Sequence, residues 1–215
     1  MTNVQAHFDS KNVIIWDWNG TLLNDVEACH RSVCRILGEN GLNEITLDTH
    51  REKFLFPIRN FYSDLGFDFD RVSYEELSER YHVIFREEVQ NASLFENAKD
   101  FLHTTREQGK SHYILSACHQ DDLNKQVSEH EIIEHFVAVY GQNDLLAHSK
   151  IARGKQLIQD FNINPDDALF IGDTDHDLEV GQALGIETIL VAQGHQSYER
   201  LSSKHSKVLQ STFFV

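Results

Sequence analysis

Residues 12–21 read NVIIWDWNGT. Residues 12–17 form a continuous apolar run that ends in a polar turn, which is typical of a strand buried on both faces of a sheet. Gly20 lets the chain turn sharply after that strand, because glycine has no Cβ atom. The stretch therefore predicts a buried first strand with polar residues at its carboxyl end.

Four further apolar runs repeat this pattern along the chain. They lie at residues 112–115 (HYIL), 136–140 (FVAVY), 168–171 (ALFI) and 188–191 (TILV). Stretches with helical patterning lie between them, at residues 98–108, 121–130, 151–160 and 178–184. Gly109 and Gly185 follow two of these stretches, as glycine often does at a helix C-terminus. Strands that alternate with helices predict an α/β fold with a doubly wound, mainly parallel sheet.

One segment interrupts the alternation. Residues 24–90 contain no convincing buried strand, and their apolar residues recur at helical spacing, as in Val26, Val33 and Ile36. We therefore predict a helical insertion at residues 24–90 and a core domain made of residues 1–23 and 91–215. Residues 208–215 are a candidate edge strand.

The amino-acid composition argues against some classes of binding partner. The formal charge of -15 argues against a nucleic-acid backbone or an anionic membrane as main partner. There is no run of about 18 apolar residues, and the first residues lack the apolar segment of a secretory signal. The three cysteines show no metal-ligand spacing and indicate free thiols in a reducing cytoplasm. We expect a cytoplasmic protein; the sequence leaves its oligomeric state open.

Polar residues follow the predicted strands at the edge where ligands bind in parallel α/β sheets. They are Asp17, Asn19, Gly20 and Thr21 after the first strand, Ser116 after the second, and Asp173 and Asp177 after the fourth. Lys150 precedes the helix that leads to the fourth strand. Three carboxylates at one edge would repel one another and an incoming phosphate. The cluster therefore implies a bound cation.

In this order and on these elements, DWNGTLL, LSA, SK and IGDTDHD resemble the four motifs of the haloacid dehalogenase (HAD) superfamily. The resemblance covers essentially the whole chain, and the helical insertion is similar to that family's type 1 cap. The opening motif is similar to that of the phosphoglycolate-phosphatase-like branch. The resemblance implies a Rossmann-like core and a Mg²⁺-dependent hydrolase, a phosphatase of a small phosphorylated metabolite.

The resemblance also implies roles for the motif residues. Asp17 would be the nucleophile, whose attack on phosphorus gives an aspartyl-phosphate and divides the hydrolysis into two steps. Lys150 would neutralise charge on the nucleophile and the phosphate, with Lys155 as the rival lysine. The hydroxyls of Thr21 and Ser116, with backbone N–H groups at Gly20, would bind the phosphoryl oxygens.

The metal ligands follow from the same resemblance. Asp17, Asp173 and the backbone carbonyl of Asn19 would supply the hard oxygen atoms that Mg²⁺ prefers. Asp177 lies four residues after Asp173 and would bind through water or orient its neighbours. Specificity would come from the helical insertion, where Arg59 is the best candidate for a contact with the substrate anion, ahead of Arg31 and Arg35.

The chain departs from the family pattern at Asn19. Phosphatases of the family usually carry a second aspartate there, which protonates the leaving oxygen and later activates water. An amide cannot shuttle a proton, and general acid–base catalysis contributes about 10² to 10⁴ in rate. Four alternatives stay open: a phosphatase that uses another acid, such as His119, His176 or His195; a hydrolase of acyl phosphates or anhydrides; a haloacid dehalogenase; or a protein that binds a phosphorylated ligand without turning it over.

Overall fold

A computed structural model describes residues 4–146 and 149–211 of the chain. The strands are β1 (Val13–Trp16), β2 (Leu23–Asn24), β3 (Ser93–Leu94), β4 (Ser111–His119), β5 (Phe136–Gln142), β6 (Ala168–Gly172), β7 (Glu187–Val191) and β8 (Val208–Leu209). The α-helices are α1 (Val4–Asp9), α2 (Val26–Glu39), α3 (Leu47–Lys53), α4 (Ile58–Asp64), α5 (Tyr74–Glu88), α6 (Ala98–Glu107), α7 (Gln120–Glu129), α8 (Ile151–Phe161), α9 (Asp175–Leu184) and α10 (Tyr198–Lys204). Short 3₁₀ helices lie at Val89–Asn91, Ile133–His135 and Pro165–Asp167.

Six strands form one sheet in the order β5-β4-β1-β6-β7-β8, and the pairs between neighbours are parallel. The sheet is covered on both faces because alternate residues of β1 enter different cores. Ile14 and Trp16 pack into a cluster with Leu102 and Ile114, whereas Ile15 packs into a second cluster on the other face. This explains the continuous apolar run, and the predicted doubly wound α/β fold is confirmed.

The segment between β2 and β3 contains helices α2–α5. Its own core includes Val33, Ile36, Leu37, Tyr62 and Ile84, which are nearly inaccessible to solvent. The two short strands pair antiparallel, with Leu23 opposite Leu94, so the segment leaves and re-enters the sheet at one place. The helices agree with the predicted patterning, and the division into domains at residues 24–90 stays a prediction. Among the described helices, none is both long and apolar enough to cross a membrane.

Some boundaries differ from those predicted. Helix α9 begins at Asp175 rather than at residue 178, because Thr174 and Asp177 form a reciprocal capping box at its N-terminus. Strand β4 continues to His119, four residues beyond the predicted end. Helices α1 and α10 were not predicted. Of the candidate edge strand, Val208–Leu209 pairs with β7, and residues 212–215 lie outside the described part.

Candidate active site

The carboxyl ends of β1 and β6 bring Asp17, Asp173 and Asp177 together around one lysine. The ammonium of Lys150 donates a hydrogen bond of 2.6 Å to Oδ1 of Asp17 and lies 2.7 Å from Oδ1 of Asp177. It also donates to the carbonyl oxygen of Leu115 at 3.1 Å. The Lys150 side chain is 2% exposed, whereas its rival Lys155 is exposed on α8. The structure thus brings Lys150, and not Lys155, to the predicted nucleophile.

One ammonium group does not balance three buried carboxylates. Carboxylate oxygens of Asp17, Asp173 and Asp177 lie within 4.8 Å of one another. Burial, with repulsion from the other two carboxylates, raises the pKa of Asp17 well above its ordinary value despite the nearby Lys150. Burial also raises the pKa of Asp173 to about 6. A further positive charge among them would therefore stabilise the ionised forms of both carboxyl groups.

Asp177 and Lys150 stabilise each other in their charged forms. Burial alone would raise the pKa of Asp177, but Lys150 and the hydroxyl of Thr174 outweigh it and lower that pKa. Burial likewise opposes the charge on Lys150, and the two carboxylates outweigh it and raise its pKa. Oδ2 of Asp177 accepts hydrogen bonds from the backbone N–H groups of Asp173 and Thr174 at 3.1 and 2.9 Å. Asp177 therefore contacts Lys150 through one oxygen and the β6–α9 turn through the other.

The donor set fits a divalent cation that prefers oxygen ligands. The clustered carboxylates are hard donors, and Asp173 is fully buried within reach of Asp17. Mg²⁺ is held by one or two carboxylates with backbone carbonyls and water. The residues present are therefore compatible with Mg²⁺ at Asp17 and Asp173.

The turn after β1 is tighter than the sequence indicates. Gly20 has a φ of +71°, and a Cβ atom there would lie 2.3 Å from Oδ2 of Asp173. The N–H of Gly20 donates to Oδ1 of Asp25 at 2.8 Å and to the carbonyl oxygen of Leu23 at 2.9 Å. That N–H is therefore not free for a phosphate oxygen in this arrangement. The hydroxyl of Thr21 points to Oδ1 of Asp173 at 3.3 Å, so it too is engaged within the site.

Asn19 has a partner that the sequence does not indicate. Its side-chain amide donates a hydrogen bond of 2.7 Å to Oδ2 of Asp25, a carboxylate that is 1% exposed. Asp25 also lies 3.8 Å from Nε2 of His195. Burial opposes a positive charge on His195, but Asp25 and Cys29 outweigh it and raise the pKa of His195 well above its ordinary value. An aspartate at position 19 would face the Asp25 carboxylate directly.

The predicted cation of the helical insertion is not brought to this site. The guanidinium of Arg59 lies 4.4 Å from the centre of the Phe69 ring, and Arg59 is not among the described residues that line the cavity beside Asp17. Arg31 and Arg35 pair with glutamates at the end of α5. Arg86 on α5 does line the cavity, and the sequence did not indicate this. Its spacing from the apolar residues of α5 shows that it lies on the same helix, but not that it reaches the cavity.

Among residues 194–200 the sequence singles out only His195, as a candidate acid, and does not indicate the contacts that this segment makes. The backbone N–H of His195 donates to Oδ2 of Asp173 at 2.6 Å, and the amide of Gln196 donates to the carbonyl oxygen of Phe54 at 2.9 Å. The guanidinium of Arg200 reaches both Oδ2 of Asp175 and the carbonyl oxygen of Glu52. The segment follows β7, so the rule that ligands bind at the carboxyl ends of strands could have pointed to it.

A second buried cluster joins the helical insertion to this segment. It consists of Cys29, His50 and His195, with candidate ligand atoms within 4.8 Å of one another. Nε2 of His50 lies 3.4 Å from Nδ1 of His195, and the hydroxyl of Tyr81 donates to Sγ of Cys29 at 3.1 Å. The three residues are far apart in the sequence, which is why the spacing of the cysteines gives no sign of the cluster.

A cavity of about 110 Å³ connects the carboxylate cluster with the interior of the helical insertion. Asp17, Asn19, Ser116, Lys150, Asp173 and Asp177 line its core side. The hydroxyl of Ser116 accepts a hydrogen bond from the N–H of Cys118 at 3.1 Å, which leaves its proton free to donate into the cavity. Apolar side chains of α2, α4 and α5 line the other side.

Comparison with known proteins agrees with the fold. Residues 14–191 match the family model of the haloacid dehalogenase-like hydrolases. A protein from Clostridium acetobutylicum, proposed to be a phosphatase, superimposes with a TM-score of 0.81 at 20% identity, over 94% of each chain. A haloacid dehalogenase-like hydrolase from Streptococcus pneumoniae has a TM-score of 0.81 at 21% identity, over 94% of this chain and 95% of its own.

A protein from Lactobacillus delbrueckii subsp. bulgaricus, proposed to be a phosphoglycolate phosphatase, has a TM-score of 0.77 at 14% identity, over 94% of this chain and 95% of its own. At these identities the similarity shows the fold. A search of the curated proteins found no match.

Proposed function

Since this chain belongs to the haloacid dehalogenase-like hydrolase family, we propose that it is a Mg²⁺-dependent phosphatase of a small phosphorylated metabolite. The observation that carries the proposal is the buried ammonium of Lys150 between Asp17 and Asp177, with Asp173 beside them at one end of a cavity. This arrangement suits the transfer of a phosphoryl group to a carboxylate, because the reaction depends mainly on positioning and charge neutralisation.

Asp17 is the nucleophile in the proposed reaction. One of its oxygens attacks phosphorus, a P–O bond forms, and the bond from phosphorus to the leaving oxygen breaks. Water then attacks the aspartyl-phosphate and releases inorganic phosphate, which restores the carboxylate. Lys150 holds Oδ1 of Asp17 in place and lowers the repulsion between the carboxylate and the phosphate. Mg²⁺, held by Asp17, Asp173 and the backbone carbonyl of Asn19, would supply further positive charge to the phosphoryl oxygens.

The leaving oxygen needs a proton. The Asn19 side chain cannot supply it, and its amide is committed to Asp25. Of the three histidines considered as substitutes, His195 lines the cavity, whereas His176 stacks on Phe56 and His119 lies outside the lining residues of the described chain. Both ring nitrogens of His195 face other side chains, since Nε2 lies 3.8 Å from Oδ1 of Asp25 and Nδ1 lies 3.4 Å from Nε2 of His50. We therefore expect the rate to depend strongly on the acidity of the leaving group.

A panel of phosphate esters with graded leaving-group acidity tests the proposal. In the presence of Mg²⁺ we expect turnover that rises steeply with leaving-group acidity and stops on addition of a chelator. Asp17→Asn should abolish turnover and leave the fold intact, and its matched control is Asp48→Asn, an exposed change on α3. Activity retained in Asp17→Asn would refute the aspartyl-phosphate mechanism.

The Asn19–Asp25 pair allows a second test. Asn19→Asp alone would set two carboxylates against each other, because Asn19 Nδ2 and Asp25 Oδ2 are 2.7 Å apart. The double variant Asn19→Asp with Asp25→Asn exchanges the carboxylate and the amide and keeps a hydrogen bond between them. We expect the exchange to flatten the dependence on leaving-group acidity. An unchanged slope would show that another group already supplies the proton.

Asn19 also favours a second candidate function, a protein that binds a phosphorylated ligand and turns it over slowly or not at all. This candidate predicts Mg²⁺-dependent binding of inorganic phosphate without hydrolysis of any ester in the panel. A haloacid dehalogenase is less compatible with the site, because displacement of halide by a carboxylate gives no reason to cluster Asp173 and Asp177 with Asp17.

A further inference from the structure

The buried cluster of Cys29, His50 and His195 lies apart from the carboxylates of the proposed reaction. Cys29 lies on α2 and His50 on α3, whereas His195 lies in the segment that follows β7. All three side chains are buried, and Cys29 and His195 also line the cavity beside Asp17. The cluster therefore joins two helices of the helical insertion to the segment of residues 194–200, and small ions in the cavity can reach it.

The two imidazole rings of the cluster face each other through one nitrogen atom each. Nε2 of His50 lies 3.4 Å from Nδ1 of His195, which is longer than an ordinary N–H hydrogen bond of about 2.7–3.2 Å. Two nitrogen atoms that bind one tetrahedral Zn²⁺ at about 2.0–2.1 Å are about 3.3–3.4 Å apart. The observed separation therefore agrees with two ligands of one tetrahedral cation.

The thiol of Cys29 adds a third ligand. Candidate ligand atoms of the three residues lie within 4.8 Å of one another. Sulfur and nitrogen ligands of one tetrahedral Zn²⁺ are about 3.6 Å apart, so a rotation of the Cys29 side chain that moves Sγ by about 1 Å is sufficient. The hydroxyl of Tyr81 donates to Sγ at 3.1 Å and can continue to donate to a thiolate.

Asp25 provides negative charge beside the cluster. Oδ1 of Asp25 lies 3.8 Å from Nε2 of His195, the ring nitrogen that does not face His50. Histidines that bind a metal through one nitrogen usually direct the other nitrogen to a carboxylate or a carbonyl group. A thiolate at Cys29 and the buried carboxylate of Asp25 would together balance the two charges of a divalent cation.

His50 is poorly paired for a buried histidine. Its side chain is 0% exposed and packs against the rings of Phe54 and Phe61. Its Nδ1 has no hydrogen-bond partner among the described residues, and its Nε2 has only the long contact with His195. Buried polar groups nearly always have partners, so a side chain left in this state indicates an ion or another group that it binds. The neighbouring His30 is engaged elsewhere, since its Nε2 lies 2.7 Å from the carbonyl oxygen of Ile45.

We infer that Cys29, His50 and His195 form a binding site for a divalent cation that takes nitrogen and sulfur ligands, of which Zn²⁺ is the type. Thiolate and imidazole groups select ions of this class, whereas Mg²⁺ prefers the oxygen ligands of Asp17 and Asp173. Three protein ligands leave a fourth position for water. The bound ion cross-links α2 and α3 to the segment of residues 194–200. The inference goes beyond the proposed phosphatase function and does not depend on it.

Co²⁺ provides the first test, because its absorption spectrum reports on its ligands. A thiolate ligand gives an intense charge-transfer band in the near ultraviolet, and tetrahedral geometry gives visible bands. Tag-free protein with reduced thiols is titrated with Co²⁺ in excess Mg²⁺, which occupies the carboxylate site. We expect both signals to saturate at one Co²⁺ per chain and to disappear when Zn²⁺ is added. Absence of the thiolate band in the folded wild-type protein would overturn the inference.

A matched pair of variants tests the ligands. Cys34→Ser makes the same change as Cys29→Ser on the same helix, at a buried thiol that contacts His30 and the carbonyl oxygen of Ile45. We expect Cys29→Ser to remove the thiolate band and to lower the affinity for Zn²⁺ at least about a hundredfold, and Cys34→Ser to retain both. A thiolate band that survives in Cys29→Ser, or that is lost in folded Cys34→Ser, would overturn the assignment.

His50→Gln keeps the test decisive if Cys29→Ser does not fold. We expect His50→Gln to lower the affinity for Zn²⁺ at least about a hundredfold in a competition with a chromophoric chelator, since it removes a ligand. Unchanged affinity would contradict the site. Circular dichroism of each variant checks that it is folded.

Thermal unfolding tests the cross-link. With excess Mg²⁺ present, Zn²⁺ at 100 times its Kd should raise the melting temperature of the wild-type protein by about 5–10 °C and leave that of His50→Gln nearly unchanged. An equal rise in both proteins would show that Zn²⁺ binds at the carboxylates instead. None of these measurements uses hydrolysis, so the metal site and the phosphatase function can fail separately.

Discussion

Asp173→Asn should make the metal-free protein more stable and remove its response to Mg²⁺. Burial raises the pKa of Asp173 from 3.8 to about 6, so the folded state holds this proton more tightly than the unfolded chain does. The stabilising effect of the proton is complete below pH 3.8 and is lost as the pH rises through about 6. At pH 7.5 the buried carboxylate therefore costs about 3 kcal/mol, since each tenfold change in proton affinity corresponds to about 1.4 kcal/mol.

Asparagine at this position copies the protonated carboxyl group. Its oxygen can accept from the N–H of His195, and its amide can face the hydroxyl of Thr21, the two partners that Asp173 has now. We expect the metal-free variant to gain about 3 kcal/mol at pH 7.5, or about 6–12 °C in melting temperature for a chain of this size. The gain should fall by roughly half at pH 5 and vanish below pH 4.

The assay is urea unfolding at these three pH values, with and without Mg²⁺. Wild-type protein should gain about 2.7 kcal/mol when Mg²⁺ is present at 100 times its Kd, and Asp173→Asn should gain little. The control is Asp175→Asn, two residues on, where hydrogen bonds from Lys204, Gln196 and Arg200 outweigh burial and lower the pKa. That variant should lose stability at pH 7.5. Lower stability of metal-free Asp173→Asn at pH 7.5 would refute the assignment of Asp173 as a strained buried carboxylate.

Three further outcomes are expected. Lys150→Met removes the ammonium between two buried carboxylates and should lower the free energy of unfolding of the metal-free protein by about 3–5 kcal/mol in urea. It should also lower kcat about 10²-fold or more. Unchanged stability would contradict the ion pairs. Gly194→Ala places a Cβ atom 2.1 Å from Oδ2 of Asp173 and should weaken Mg²⁺ binding at least about tenfold by calorimetry, whereas Gly38→Ala on α2 meets nothing within 4 Å and should leave that affinity unchanged. The formal charge of -15 should make kcat/KM for a dianionic ester rise as salt is raised to about 0.2 M, and a fall would show that local cations dominate the approach of the substrate.

The sequence is most informative where one residue's neighbours along the chain determine its environment. The run around Ile14, Ile15 and Trp16 predicts a strand covered on both faces, because alternate side chains of a strand point to opposite faces. The polar residues that follow the parallel strands must then lie at the same edge of the sheet. For this reason Asp17, Ser116 and Asp173 could be proposed together without coordinates, whereas the role of Lys150 was proposed from the resemblance to the family's motifs.

Contacts between distant segments were not predictable in this way. Nothing in the local pattern around Asn19 shows that its amide bonds to Asp25, because that contact depends on how the turn after β1 folds back. The aromatic neighbours of Arg59 suggest a contact with the substrate, but its guanidinium lies over Phe69 and Arg59 is not among the described residues that line the cavity. Arg86 reaches the cavity because α5 packs across the core beside Asp122, which is a tertiary relationship.

The segment of residues 194–200 has a thermodynamic consequence. It contacts Asp173 through the N–H of His195, and it contacts the helical insertion through Gln196 at Phe54 and through the pairing of Arg51 with the carbonyl oxygen of Gly194. A cation at Asp173 and a ligand under the helical insertion therefore act on the same few residues. Coupling free energies between two binding events are reciprocal. If orthovanadate raises the affinity of the protein for Mg²⁺ tenfold, Mg²⁺ must raise the affinity for orthovanadate tenfold, and calorimetry in both orders measures how strongly this segment links them.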